Sequence, residues 1–270
     1  MHVVVCVKQV PDTANVRINP ETNTLMREGV ESIMNPFDEY ALEQGLMLKD
    51  RHGAMLTVVS MGPPQAAEVL REALARGADD AVLVSSRAFG GADTLATSYT
   101  IAQAIKKACG GRTPDLVLFG KQAIDGDTAQ VGPGVSEFLG VPLVTYVRRI
   151  DILHDRQECR FSVESVMDDG IATIEGAFPA VMTVLKEADA PRYAPLAGAI
   201  RAAKADIAVL DEKAIGADPA EIGLKGSPTK VVAIFPPPIK GGGEKMSASG
   251  SDAAKAIVSF LEKKGWVKNG

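Results

Sequence analysis

"LVLFGKQAIDGDTAQVGPGVSEFLG", residues 116–140, runs from an apolar stretch (Leu116 to Phe119) into Gly, Asp, Thr and Gln, then resumes an apolar, helix-like pattern at Val135. A short apolar strand, a polar turn and a helix make half of a βαβ unit. The same alternation extends in both directions. Short apolar runs stand at Val3–Val7, Leu56–Ser60, Ala81–Val84, Leu143–Val147 and Val181–Leu185, with longer amphipathic segments between them. Runs that are apolar throughout, rather than alternating, predict parallel strands covered on both faces.

The intervening segments carry helix signals. "MNPFDEYALEQGLMLKD" (34–50) offers Asn35 as N-cap, Pro36 at the first helical position and Asp38 and Glu39 in the first turn, where the helix dipole favours acids. Phe37, Tyr40, Ala41, Met47 and Leu48 share a face of the helix predicted over 36–51. "GPPQAAEVLREALARGAD" (62–79) starts at a proline and stops at Gly77. "GADTLATSYTIAQAIKKAC" (91–109) takes Asp93 as N-cap and ends on Lys106 and Lys107. Together these predict an α/β domain over residues 1–190, a doubly wound, mostly parallel, Rossmann-like sheet of the adenine-nucleotide-binding type. "FSVESVMDDGIATIEG" (161–176) alternates around Asp169-Gly170 and predicts a hairpin at one sheet edge.

Past Leu185 the pattern changes. "KEADAPRYAPLAGAIRAAKADIAVL" (186–210) reads as a Pro-containing connection and a short basic helix. "FPPPIKGGGEKMSASGSD" (235–252) is low in complexity and expected to be mobile, and a helix is predicted over Ser251–Lys264. Residues 191–270 therefore form a C-terminal arm, whose apolar helix residues need a surface on another subunit or on their own domain.

Composition limits the function. The 270-residue chain is 46% hydrophobic and 23% charged, with a formal net charge of −5 and a pI near 5.4. Dispersed basic residues and an acidic balance argue against a nucleic-acid surface. No stretch approaches the roughly 20 apolar residues of a membrane span, and Val3–Val7 is too short for a signal peptide, so a cytoplasmic location is expected. Cys6, Cys109 and Cys159, and likewise His2, His52 and His154, are scattered without metal-ligand or disulfide spacing. No P-loop, no G-x-G-x-x-G after the first strand and no nucleophile–histidine arrangement is present, so a bound ligand, rather than a catalytic side chain, is expected to carry the chemistry.

Open α/β sheets bind ligands at the carboxyl ends of their strands. Four segments lie there: Cys6, Val7 and Lys8; Met61 and Gly62; Gly91, Ala92, Asp93, Thr94, Leu95 and Thr97; and Gly120, Lys121, Gln122, Ala123, Ile124, Asp125, Gly126, Asp127, Thr128, Ala129, Gln130 and Val131. Helix starts at Thr94 and near Gln130 offer unpaired N–H groups to phosphate. The glycines at 90, 91, 120, 126 and 132 permit close backbone approach, and Asp127, Thr128 and Gln130 suit a ribose or base. An ATP-binding ligase or stress-type nucleotide module would share such loops, although the Ser-Gly-Gly loop expected of those ligases after the first strand is missing.

"VVVCVKQVPD", "MNPFDEYALEQ", "ARGAD", "GKQAIDGDTAQVGP" and "PRYAPLAGAIRAAK" resemble, in order and spacing, the electron-transfer flavoprotein β-subunit family over most of residues 1–205. The resemblance implies a heterodimer with an FAD-bearing α-subunit, on which the C-terminal arm would dock. It implies an adenine nucleotide held by this chain at Cys6, Asn35, Met61 and 120–131. Thr13 and Phe37 would approach the partner's flavin, and Leu196 would anchor in an acyl-CoA dehydrogenase-type partner. In the ordinary branch of that family the nucleotide is a structural AMP. In the electron-bifurcating branch it is a second FAD, which takes a hydride from NADH and divides the electrons between the dehydrogenase and a low-potential acceptor, ferredoxin or flavodoxin. "FGGADTLATS" and "IDGDTAQVGP" are more similar to the bifurcating branch, since the AMP branch tends to carry a second acid and a Cys at positions 126 and 128. The chain would oxidise NADH only if its site holds FAD.

Overall fold

A computed structural model describes residues 1–12, 17–18, 25–26, 32–154, 159–230, 232, 245 and 247–267. In chain order the first elements are β1 (His2–Cys6), β2 (Gln9–Pro11), β3 (Arg17–Ile18), β4 (Leu25–Met26), β5 (Ser32–Met34), α1 (Pro36–His52) and β6 (Met55–Met61). They are followed by α2 (Ala67–Arg76), β7 (Asp80–Val84), α3 (Thr94–Ala108), β8 (Leu116–Gly120), α4 (Val131–Leu139) and β9 (Leu143–His154). The chain continues through β10 (Cys159–Met167), β11 (Gly170–Ala177), β12 (Ala180–Val184), α5 (Leu196–Lys204), β13 (Ala208–Leu210) and α6 (Gly250–Lys263).

Nine of these strands form one sheet in the order β11-β10-β9-β12-β8-β1-β6-β7-β13. The pairs from β9 to β13 are parallel, and β10 and β11 add an antiparallel hairpin at one edge, as predicted. Its turn sits on Asp168–Asp169, one residue earlier than the Asp-Gly reading placed it. All six predicted strands are present.

The central strand β1 shows why the sheet is doubly wound. Val3, Val5 and Val7 enter the core shared with Leu42 of α1 and Leu70 of α2, whereas Val4 and Cys6 enter the core shared with Ile101 and Ile105 of α3 and Val135 of α4. Side chains alternate across a strand, so a strand apolar throughout must be covered on both faces. After β1, β6 and β7 are laid outward on one side. The chain then crosses the other face through α3 and places β8 on the far side of β1. The reversal between β8 and β1 is the switch point, where the carboxyl ends of neighbouring strands open a crevice.

Three local readings needed correction. Asn35 precedes α1, but its side chain makes no cap bond, because it is committed elsewhere. The core face of α1 centres on Ala41, Leu42 and Leu46, while Phe37, Tyr40 and Met47 are half-buried. β13 lies in the stretch read only as a Pro-containing connection and a short basic helix; its three residues are mostly exposed and too few to set a period.

By contact, Met1–Lys230 and Val231–Gly270 form two units. In the first, α5 packs on α2: the Arg71 guanidinium donates to the carbonyls of Ala202 (2.9 Å) and Ala205 (3.1 Å), and Arg201 donates to Leu74 O (2.8 Å). The second contains α6, capped by Ser249, whose hydroxyl accepts from Asp252 N–H at 3.4 Å. Much of the Pro/Gly-rich stretch from 235 lies outside the described residues.

Candidate functional site

The ends of β1 and β8 are joined by one buried carboxylate. Asp38, in the first turn of α1, accepts the backbone N–H of Lys8 at 2.8 Å and that of Gly120 at 3.1 Å. Asn35 ties the next residues down: its side-chain amide donates to Gln122 O (2.8 Å) and accepts from Ile124 N–H (3.1 Å). The start of α1 therefore fixes the root of the 120–131 loop. Burial pushes the Asp38 carboxyl up to about 7, against the opposing pull of its N–H donors. Burial likewise pushes the Cys6 thiol well up, with the charge of Asp38 adding to the effect, so Cys6 stays a neutral packing group.

Beyond its root the loop is shaped by its own chain. Asp127 N–H donates to Ala123 O (2.8 Å), Gln122 donates to the Asp127 carboxylate, and the Lys8 ammonium reaches Asp125 at 2.7 Å. Asp127 and Ala129 take φ of 55° and 54°, a left-handed conformation uncommon for residues other than glycine. Residues 125–128 are exposed, and a Cβ at Gly126 would meet nothing within 4 Å. Gly120 differs: its missing Cβ lets β8 end against the backbone of Phe37 and Asp38. Gly132 similarly sits against Thr183 and Phe119.

The two helix starts are not equivalent. At α3 the Asp93 carboxylate caps the N–H groups of Leu95 (3.0 Å) and Ala96 (3.1 Å), and its other oxygen accepts from the N–H and hydroxyl of Thr229. Asp93 N–H donates to the Ser227 hydroxyl (2.8 Å). Burial opposes ionisation of Asp93, but the hydrogen bonds from Thr229, Ala96 and Leu95 outweigh it and hold the carboxyl below its usual range. At α4, Gln130 makes no side-chain cap bond; its Oε1 accepts from the Thr94 hydroxyl at 3.0 Å, which joins the two helix starts. The α4 start is the one whose N–H groups carry no side-chain cap, and it lies beside the exposed loop, an arrangement suited to an anion.

Lys8, Thr94 and 120–131 are thus brought together, with Cys6 and Val7 buried in the floor of the site. Met61 and Gly62 end the adjacent β6, and Gly62 N–H pairs with Val84 O. Gly91 abuts Leu224, Ala92 and Thr97 are half-buried, and Leu95 is exposed. Phe37 lies half-buried beside Gly120; Thr13 falls outside the described residues. Two cavities, of about 550 and 520 Å³, are lined by none of these residues: one lies along the C-terminal half of α1 and β9, the other along 212–225. Sequence reasoning missed Asp38 as the tie between strands, having read it only as a first-turn acid.

If the loop holds the adenine nucleotide that the sequence resemblance implies, Asp127→Ala and Thr128→Val should each weaken its binding by about 1–3 kcal/mol, through loss of a polar partner. Asp127→Asn, which tolerates the left-handed backbone, serves as the control for loop shape. Nucleotide retained on purification, quantified after denaturation, is the measurement, and unchanged retention in both variants would falsify the role of this loop.

The architecture and the position of the loop place the chain among the open α/β proteins whose ligand sites lie at the carboxyl edge of the sheet. The model of the electron transfer flavoprotein domain matches residues 22–215. The chain is 49% identical over 267 residues to the electron transfer flavoprotein subunit beta of Clostridium acetobutylicum, covering 99% of this chain and 100% of that one. It is 48% identical over 266 residues to the caffeyl-CoA reductase-Etf complex subunit CarD of Acetobacterium woodii, covering 98% and 99%. It is 49% identical over 239 residues to protein FixA of Azotobacter vinelandii, covering 88% and 84%. The chain belongs to the electron transfer flavoprotein family, on its β-subunit side. Among the described residues no helix is long and apolar enough to cross a membrane.

Proposed function

We propose that this chain pairs with an electron transfer flavoprotein α-subunit in the cytoplasm and holds FAD at the β1–β8 switch point, as part of an electron-bifurcating carrier. The observation that carries the reading is the exposed, self-braced loop, with Asp127 and Thr128 displayed, Gly126 facing open space and an uncapped helix start beside it. Asp127 and Thr128 would meet hydroxyl and base groups, the N–H groups of α4 would meet phosphate, and Lys121 supplies nearby positive charge, the Lys8 ammonium being paired with Asp125. FAD, when bound, would accept a hydride from NADH and pass its two electrons on separately. The named association of one relative with a caffeyl-CoA reductase supports an acyl-CoA dehydrogenase-type flavoprotein as one recipient, and ferredoxin or flavodoxin is the proposed second.

One observation favours the AMP-bearing, non-bifurcating alternative. Of the α3 and α4 starts, Asp93 already occupies that of α3, leaving one of the two uncapped, which is sufficient for one phosphate. Nucleotide release from the purified αβ complex decides between them. Two FAD and no AMP per heterodimer is the expected result; one of each assigns the site to AMP.

Leu196 is 78% exposed at the first residue of α5, so Leu196→Ala should leave the thermal melt unchanged. It is expected to slow stopped-flow electron transfer to the dehydrogenase, with a docking loss of about 1–3 kcal/mol. A normal rate removes Leu196 from the docking surface.

A further inference from the structure

Tyr193, just before α5, and Leu196 and Ile200, one turn apart on it, are exposed apolar side chains, at 96%, 78% and 53%. Side chains this exposed are not held by burial, so their position depends on how the backbone beneath them is fixed. Leu196 and Ile200 are fixed by α5 on α2, where Gly198 comes so close that a Cβ would run into Ala75 O. The segment before α5, which has neither helix nor strand and carries Tyr193, is fixed by Arg192.

The Arg192 backbone N–H donates to Glu43 Oε2 (2.9 Å), its Nε to both Glu43 oxygens (3.0 Å each) and its Nη2 to Oε1 (2.8 Å). Nη1 donates to Asp50 Oδ2 at 2.7 Å. Glu43 and Asp50 stand two turns apart on α1, and Glu43 is 5% exposed. Next to them, Gln44 donates to Asp189 at 3.2 Å. Pro191 and Pro195 restrict the backbone on either side of the clamp.

Arg192 is partly exposed and Asp50 exposed, so the ion pairs add little net stability, but a guanidinium bonded through several edges fixes geometry in a way an ammonium cannot. Holding a small contact surface in its bound shape improves affinity by removing the entropy of ordering it. We propose that Arg192, clamped by Glu43 and Asp50, is the positioning residue that presents Tyr193 and Leu196 to the partner flavoprotein. This rests on the reading of Leu196 as a docking residue.

The test uses the αβ complex reduced with dithionite, a short-chain acyl-CoA dehydrogenase as acceptor, and the variants Arg192→Lys, Glu43→Gln and Leu196→Ala. Arg192→Lys keeps the charge and loses the fork. Amide hydrogen exchange over 191–196, measured without acceptor, should rise at least tenfold in Arg192→Lys and in Glu43→Gln. The half-saturating acceptor concentration should rise about tenfold in both, while the maximal rate and flavin content stay within twofold of wild type. In the Leu196→Ala background, Arg192→Lys should add no more than a twofold further rise. Unchanged exchange in both clamp variants overturns the clamp. Raised exchange with unchanged half-saturation, or fully multiplicative effects with Leu196→Ala, overturns the positioning role. If Leu196→Ala alone leaves half-saturation unchanged, the docking reading falls and takes the positioning role with it, while the exchange data still score the clamp.

Discussion

The stability of the protein is expected to fall by about 4 kcal/mol, relative to an Asp38→Asn variant, as the pH rises from 4 to 7.5. The folded state holds the Asp38 proton up to about pH 7, whereas the unfolded chain releases it near the ordinary value of 3.8. Between those two values the folded state binds more protons, so stability declines with rising pH, and each unit of difference is worth about 1.4 kcal/mol. The carboxyl accepts this cost because its two oxygens satisfy the N–H groups of Lys8 and Gly120, which would otherwise be buried without partners. Urea unfolding of both proteins across that range is the measurement. A difference that stays flat with pH would show that Asp38 ionises normally and that the site entrance is wetter than its burial implies.

Gly120→Ala is expected to destabilise the fold by about 3 kcal/mol, at the upper end of what overpacking costs. Its Cβ would stand 2.5 Å from the Phe37 carbonyl carbon and 2.7 Å from Asp38 N. The Cβ would also meet Asp38 Oδ1, and although that side chain could turn aside, the first two are backbone atoms of α1 that cannot, so the strand end and helix start must separate. The same separation would stretch the two bonds to Asp38 and the Asn35 contacts to the loop, so nucleotide retention should fall together with the melting temperature. A stable variant with normal retention would show that the junction yields without strain.

Both predictions concern a junction that was hardly legible in the sequence. Val3–Val7 and Leu116–Phe119 declared themselves as strands because burial on both faces removes polar residues from a contiguous run, a local signal. Asp93 was legible as a cap for the same reason, since a cap bonds to N–H groups two and three residues away. Asp38 and Gly120 are 82 residues apart, and nothing in the spacing of either segment reports that they meet. Asn35 misled, because a residue type favoured at helix starts was used instead to hold a distant loop. Arg192 and Glu43, 149 residues apart, were invisible for the same reason. The six long strands survived because each has enough residues for its pattern to exceed chance; β13, with three, did not.

The bonds around Asp93 have a mechanical consequence. One carboxylate starts α3 and also grips Thr229, one residue before the first unit ends at Lys230. A displacement of Thr229 would reach the first turn of α3 directly, and through Thr94 and Gln130 the start of α4. Within the first unit, the position of Thr229 and the alignment of the sheet's carboxyl edge are therefore linked by a few hydrogen bonds rather than by a long lever.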